Sequence, residues 1–325
     1  MKKVILSKRF NPEAVASLAR DFRLVVAADN GLTLKEAVAA NPDVAAIIPF
    51  LPDRVSRDLM EMAGGLQIIA NFAVGYNNID IVSATDRGIY VTHTPDILTD
   101  ATADLAMALI LAVARRLIEA DRFLRRGDFS GWDAGLFLGK DLARSTLGIV
   151  GMGRIGLATV LRARNFGLKI VYYSRTQKPE LEKKYGFVYL PFVELLRNSD
   201  FVSLHLPYSP DVRHLFNEDA FMLMKPDAVF INVSRGLLVD ERCLAGRLER
   251  KELFGAGLDV YEFEPEVTES LKKLDNVVLL PHIGSATEKT RREMAMMTVQ
   301  AVRETVSGRI PLHLIPEWKS RLGLD

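Results

Sequence analysis

The 325-residue chain has a single cysteine, Cys243. One cysteine closes no internal disulfide and makes no CxxC site, so a disulfide framework and a zinc ribbon are excluded and a reducing, cytoplasmic compartment is expected. An excess of charge of one sign is also missing: 42 basic against 41 acidic residues leave a formal net charge of +1. That balance provides no dominant field for nucleic acid or an anionic membrane surface. Long apolar runs are absent too. The longest, Leu105 to Ala114, is about half of the roughly 20 residues needed to span a bilayer and reads as a buried helix. The opening MKKVILSKRF has too few apolar residues for a signal-peptide core and reads as a first strand. There is no low-complexity tract, no run of five like charges and no short-period repeat. No HxH, HExxH or carboxylate cluster has metal spacing, so no metal is expected. No GxSxG elbow appears, and Cys243 has no nearby histidine, which leaves acyl transfer without support.

What is present is an ordinary globular inventory, 49% hydrophobic and 26% charged, in a length that suits about two domains of roughly 150 residues. Short β-rich runs alternate with helical patterns, the signature of βαβ units and parallel sheets covered on both faces. Strands are predicted at Lys3 to Leu6, Leu24 to Ala27, Ala45 to Ile48, Gln67 to Asn71 and Tyr90 to Thr92, a first small doubly wound sheet. A second series runs Thr146 to Val150, Lys169 to Tyr173, Phe187 to Leu190, Phe201 to Leu204, Ala228 to Asn232, Gly255 to Asp259 and Val277 to Leu280. Helical spacing marks Val193 to Asn198 and Asn217 to Met224, with Asn217 and Asp240 as N-cap residues. Asp100 to Arg126 reads as one long helix ending near Gly127, and Glu288 to Ser307 as another.

The segment LGIVGMGRIG combines a strand, Leu147 to Val150, with Gly151, Gly153 and Gly156 opening a helix. A pyrophosphate needs backbone amides at close range and the positive end of a helix dipole, and side chains at the glycines would obstruct both. A lone GxGxxG is weak; this one has a strand before it and a helix after it. The next strand ends in Tyr173, Ser174, Arg175 and Thr176 with no carboxylate to hold a ribose 2′-hydroxyl. Two hydroxyls and a guanidinium suit a 2′-phosphate, so NADP(H) is favoured over NAD(H).

Three polar residues follow strand ends, where doubly wound sheets bind ligands. Arg235 comes after AVFINVS, Glu264 lies in YEFEPE, and His282 follows VVLLP. Reduction of a 2-oxo acid needs a cation for the carboxylate, a proton donor for the developing alkoxide, and a carboxylate to keep an imidazole protonated. Arg235, His282 and Glu264 supply these in that order. His93 and His205, also at strand ends, either line the crevice or satisfy backbone carbonyls; His214 and His313 read as surface or packing residues.

VGMGRIG, NSDFVSLHLP, MKPDAVFINVSRGLLVD, AGLDVYEFEP and LPHIGSAT together resemble the D-isomer-specific 2-hydroxyacid dehydrogenase family over nearly the whole chain. VGYNNID, VTHTPDILTDATADLA and EPEVTESLKKLDNVVLLPHIGSAT are most similar to its glyoxylate and hydroxypyruvate reductases and their 2-ketogluconate reductase relatives. The resemblance implies two Rossmann-like parallel-sheet domains, with a dinucleotide-binding domain at 98–286 inserted into a discontinuous, flavodoxin-like substrate domain at 1–97 and 287–325. Hinges would lie near Thr94 to Asp100 and near Ser285.

By motif position Arg235, Glu264 and His282 match the family's catalytic set. Thr102, Gly151, Gly153, Arg154, Ile155, Gly156, Ser174, Arg175, Thr176, Leu206, Pro207, Val233, Asp259 and Gly284 fall on the cofactor side, with Asp259 at the nicotinamide carboxamide. Leu51 and the amides of Val74 and Gly75 would meet the substrate together with Arg235 and His282, and Trp132 would shape the pocket. The implied protein is a homodimer built on the coenzyme domain, which would give the apolar helix around Leu105 to Val113 a use. Two departures matter. Val212 stands where the family usually has a Thr, which puts a polar contact to the cofactor in doubt, and Val74 stands where phosphite-oxidising relatives carry Lys. The expected reaction is NAD(P)H-dependent reduction of glyoxylate or hydroxypyruvate. The alternatives are 2-ketogluconate reductase, another dehydrogenase of the family such as a short phosphoglycerate dehydrogenase, and, from another class, a nucleotide-sensing co-repressor with the same residues.

Overall fold

A computed structural model describes residues 1–324. The chain divides into two compact units, one made of 1–98 and 286–325, the other of 99–285.

The first unit is a five-stranded parallel sheet in the order β2-β1-β3-β4-β5. Its strands are β1 Lys3–Leu6, β2 Arg23–Val26, β3 Val44–Ile48, β4 Ile68–Ala70 and β5 Tyr90–Thr92. The order reverses between β1 and β3, so the loop holding Leu51 follows a switch-point strand. Every residue of β3 and β4 is buried, as a central strand covered on both faces requires. The C-terminal piece completes this unit. The helix Glu288–Val306 packs on β3, β4 and β5, Arg303 Nε donates to Asp21 at 2.7 Å, and Trp318 Nε1 donates to the Ile89 carbonyl at 3.0 Å.

The second unit is a seven-stranded parallel sheet ordered β12-β11-β10-β9-β6-β7-β8. Its strands are β6 Thr146–Val150, β7 Lys169–Tyr173, β8 Val188–Tyr189, β9 Phe201–Leu204, β10 Val229–Asn232, β11 Gly255–Leu258 and β12 Val277–Leu279. One apolar cluster includes Phe216, Phe221 and Phe230; a second includes Leu109, Ile149, Tyr172 and Ile231. Full burial of each such side chain stabilises by about 1.5–3 kcal/mol. The fold class is the one the β/α alternation implies. Asn217 and Asp240 cap the helices Glu218–Leu223 and Glu241–Glu249, their side chains accepting from Ala220 and from Arg242 and Cys243.

One expectation changes. The single helix over Asp100 to Arg126 is two helices, Thr99–Ala114 and Leu117–Arg125, separated at Arg116 with φ +51°. The break is fixed by packing: the Ala114 carbonyl accepts the Lys140 amide at 2.8 Å, and Arg116 pairs with Glu119 at 2.5 Å while its guanidinium lies over the Phe137 ring. The apolar character of Thr99–Ala114 is used within the unit, where the helix packs on β10, β11, β12 and the helix Arg154–Ala163.

Candidate active site

Strand register brings the predicted polar residues of the second unit to one edge. Asn232 of β10 pairs with Leu258 of β11, which pairs with Leu279 of β12. Arg235, Asp259, Glu264 and His282 therefore all follow the C-terminal ends of three adjacent strands.

The closest pair is His282 and Glu264, with Nδ1 2.9 Å from Oε2. The other carboxylate oxygen accepts the Tyr261 amide at 3.0 Å. Burial works to raise the Glu264 carboxyl, but the His282 hydrogen bond and charge, the Tyr261 amide and the Arg235 charge outweigh it and hold the group below the usual carboxylate range. Burial draws the Arg235 guanidinium below its ordinary value, opposed by Glu264. It remains a cation at any physiological pH.

His282 has φ +55°, a conformation few non-glycine residues adopt. Asp259 holds it there: its two oxygens accept the amides of Ile283 and Gly284, each at 2.7 Å. Thr102 Oγ1 donates to the Gly284 carbonyl at 3.1 Å, fastening the same segment. Burial raises the Asp259 carboxyl against these amides and the nearby His282 charge.

Among the remaining histidines, His205 is unfit to donate a proton near neutrality, because burial pushes it down to about 3. Its Nε2 pairs with Ser203 Oγ at 2.9 Å. His93 satisfies a backbone carbonyl, that of Val74, at 2.9 Å. His214 is not a simple surface residue: its Nε2 lies 2.5 Å from the buried Glu262 carboxylate, which Arg213 also reaches at 3.2 Å.

The glycine turn lies where the order of the second sheet reverses, between β6 and β9. Gly151 has φ +108°, and a Cβ there would sit 2.7 Å from the His205 backbone. A Cβ on Gly156 would sit 2.2 Å from the Gly151 carbonyl oxygen. Around Gly153, the N-cap of the helix Arg154–Ala163, nothing lies within 4 Å of where a Cβ would be, and no side chain caps the helix. The turn is thus tight at two glycines and open at the helix N-terminus, which fits a dinucleotide pyrophosphate. Ile155 lies in the first turn of that helix. At the end of β7, Ser174 is buried and bonds the Thr176 carbonyl at 2.7 Å, while Arg175 and Thr176 are exposed. Leu206 follows β9 and its carbonyl accepts from Ser234 Oγ; Pro207 next to it is exposed, and Val233 at the end of β10 is buried. Val212 is partly buried and packs against the core. A cavity of about 620 Å³ opens at the opposite, N-terminal ends of β10 to β12, among Arg116, Pro226, Phe254 and Asn276, and is separate from this edge.

In the first unit, Val74 and Gly75 lie in the loop after β4, and Leu51 in the loop after β3. Trp132 is 87% exposed. Sequence reasoning missed Glu241, which is buried and ties the loop bearing Glu264 at two points. It accepts the Glu262 amide and the Thr268 hydroxyl, the latter at 2.7 Å. It also missed the Tyr261 hydroxyl, which donates to the Leu280 carbonyl at 2.8 Å. No spacing rule marks either residue; only the tertiary fold brings their partners to them. No group of three metal-binding side chains occurs among the described residues, and no helix is long and apolar enough to cross a membrane.

Residues 107–284 match the model of the D-isomer specific 2-hydroxyacid dehydrogenase NAD binding domain. The glyoxylate reductase of Thermococcus litoralis is 52% identical over 277 residues, covering 84% of each chain. That of Thermococcus onnurineus is 44% identical over 318 residues, covering 96% of this chain and 95% of its own. Among solved structures, the TT0316 protein of Thermus thermophilus superposes with a TM-score of 0.89 at 40% identity, covering 96% of this chain and 99% of that one. The NADPH-dependent glyoxylate/hydroxypyruvate reductase of Sinorhizobium meliloti, in complex with NADP and malonate, gives 0.87 at 34% identity, covering 97% of both. The chain belongs to the D-isomer-specific 2-hydroxyacid dehydrogenase family.

Proposed function

We propose that this protein reduces a small 2-oxo acid, glyoxylate or hydroxypyruvate, to the D-2-hydroxy acid where C2 is chiral and to glycolate where it is not, with NADPH preferred over NADH. The observation that carries the reading is the His282–Glu264 pair at 2.9 Å, at the strand ends of the unit that also holds the glycine turn. The glyoxylate reductases among its relatives support the substrate class, and the NADP-bound reductase structure supports the cofactor class.

The amides of Gly151 to Gly156, including those of Arg154 and Ile155, hold the pyrophosphate, while Ser174, Arg175 and Thr176 receive the ribose 2′-phosphate. Leu206, Pro207 and Val233 flank the dinucleotide; Thr102, Asp259 and Gly284 fix the backbone at its nicotinamide end. When bound, the reduced nicotinamide supplies the hydride that goes to C2 of the substrate. Arg235 pairs with the substrate carboxylate, and a guanidinium matches its two oxygens. His282 donates the proton to the C2 oxygen as negative charge develops there. Glu264 stays ionised, orients the imidazole through Nδ1 and stabilises its protonated form, leaving Nε2 for the substrate. Two copies associate through the second unit. The exposed Phe129, Trp132 and Leu138 between the helix Leu117–Arg125 and β6 support that arrangement.

A steady-state panel of glyoxylate, hydroxypyruvate, pyruvate, 2-ketogluconate and phosphohydroxypyruvate, each with NADPH and NADH, tests the reading. The highest kcat/KM is expected for glyoxylate or hydroxypyruvate with NADPH. Failure to oxidise either cofactor with any of them would overturn it and favour a nucleotide-sensing role.

A further inference from the structure

Three consecutive carbonyls of the first unit are tied down by groups at the ends of two neighbouring strands. The Ala73 oxygen accepts the Thr94 amide, the Val74 oxygen accepts Nδ1–H of His93, and the Gly75 oxygen accepts Nδ2–H of Asn71, each at 2.9 Å. Asn71 directly follows β4, and His93 and Thr94 directly follow β5, which pairs with β4 in register, Ala70 opposite Thr92. A trans peptide points its N–H opposite its C=O. Fixing these three oxygens toward the strand ends therefore turns the amides of Val74, Gly75 and Tyr76 the other way. None of the three donates to an acceptor among the described residues. Successive amides presented in this manner make a concave donor site for an anion.

The anchors are themselves held. Asn71 is 1% exposed, and its own amide donates to the Thr92 carbonyl at 3.0 Å. Among the described residues the Asn71 Oδ1 finds no donor, and the only hydrogen bond its side chain makes there is the one to Gly75. The His93 backbone is fixed by the hydrogen bond its N–H donates to the His313 carbonyl at 3.1 Å. Its ring meets the Tyr76 ring edge-on, centroids 5.8 Å apart, and the Tyr76 hydroxyl is fastened to Glu317 at 3.2 Å.

We infer that Asn71 and His93 are positioning residues for substrate affinity, setting the Val74–Gly75–Tyr76 amides for the carboxylate of a 2-oxo acid through their hydrogen bonds to the Gly75 and Val74 carbonyls. This rests on the reductase reading above. The chemistry asked of position 93 is an N–H donor two bonds beyond Cβ. Asparagine offers the same donor at Nδ2, alanine offers none, and aspartate at position 71 would set an acceptor against the Gly75 oxygen.

The test compares the full-length parent chain with His93→Ala, His93→Asn and Asn71→Asp. Measured are kcat and KM for glyoxylate, oxalate affinity by calorimetry on the NADPH-loaded protein, and NADPH affinity. His93→Ala and Asn71→Asp are expected to raise glyoxylate KM and oxalate Kd about tenfold, the size of one lost hydrogen bond. The fall in kcat should be smaller, NADPH affinity should hold, and His93→Asn should stay within about threefold of the parent. Parent-like oxalate affinity in His93→Ala and Asn71→Asp, or a His93→Asn protein as weak as His93→Ala, would overturn the inference. So would a matching loss of NADPH affinity, which marks a general structural defect. Turnover missing from the parent chain would defeat the reductase reading instead, and the oxalate measurement would still decide the anchoring.

Discussion

Asp259 grips the two amides that follow His282: Oδ1 takes Ile283 and Oδ2 takes Gly284, both at 2.7 Å. A histidine at φ +55° is thereby held by a carboxylate on the neighbouring strand, while Glu264 takes its Nδ1 from another side. The backbone of His282 and the orientation of its imidazole are thus governed by two different acids, and they can be perturbed separately.

Glu264→Gln removes the counter-charge with little change of shape. The alkaline limb of the reduction profile should move to lower pH and kcat should fall, because the imidazolium loses its anionic partner. The sign on stability also follows. A carboxyl held below its ordinary value contributes stability that is present above the unfolded-state value and lost as pH falls through the folded one. The parent protein should therefore lose more stability than Glu264→Gln as pH drops below about 4. Thermal melts of both proteins from neutral to acid pH check this; parallel curves would contradict it.

Arg175→Ala should raise KM for NADPH by about tenfold or more, the cost of losing charge-assisted hydrogen bonds to a phosphate, and should leave KM for NADH nearly unchanged. Paired steady-state measurements with the two cofactors read this directly. Equal effects on both would assign Arg175 to the exposed surface.

Gly151→Ala asks an alanine to adopt φ +108° with its Cβ 2.7 Å from the His205 backbone. Strain of about 1–3 kcal/mol falls on the turn itself. NADPH affinity should drop at least tenfold, measured by fluorescence titration; Gly153→Ala, with no clash inside the protein, separates crowding of the ligand from crowding of the fold.

Gly236→Ala acts on the other side of the site. Its Cβ would overlap the Tyr261 carbonyl carbon at 1.8 Å, driving apart the Arg235 segment and the loop that carries Glu264. Overpacking against backbone costs at least about 2 kcal/mol, and Tm should fall by several degrees. An unchanged melt would mean that the loop yields freely.

Much of this was legible in the sequence because the signals are local. Short β-rich runs alternating with helical patterns located both sheets, and glycines between a strand and a helix located the turn at Gly151. The break at Arg116 was not legible. It carries no glycine or proline, its apolar periodicity continues into Leu117, and its causes, Lys140 and Phe137, come from a segment that folds back from beyond Arg126. Asn71 and Glu241 were invisible for the same reason: each acts through one backbone partner or a few, chosen by the tertiary fold. His93 could be placed at a strand end, but which carbonyl it satisfies needed the paired ends of β4 and β5.

In the proposed 2-oxo acid reduction His282 gives the proton to the C2 oxygen. The most direct test is the single-substrate turnover of glyoxylate with NADPH, followed by loss of the reduced cofactor, for the parent and His282→Ala. In His282→Ala kcat should fall by roughly 10² to 10⁴, the range for a general acid, with NADPH affinity retained. Parent-like turnover in His282→Ala would contradict it.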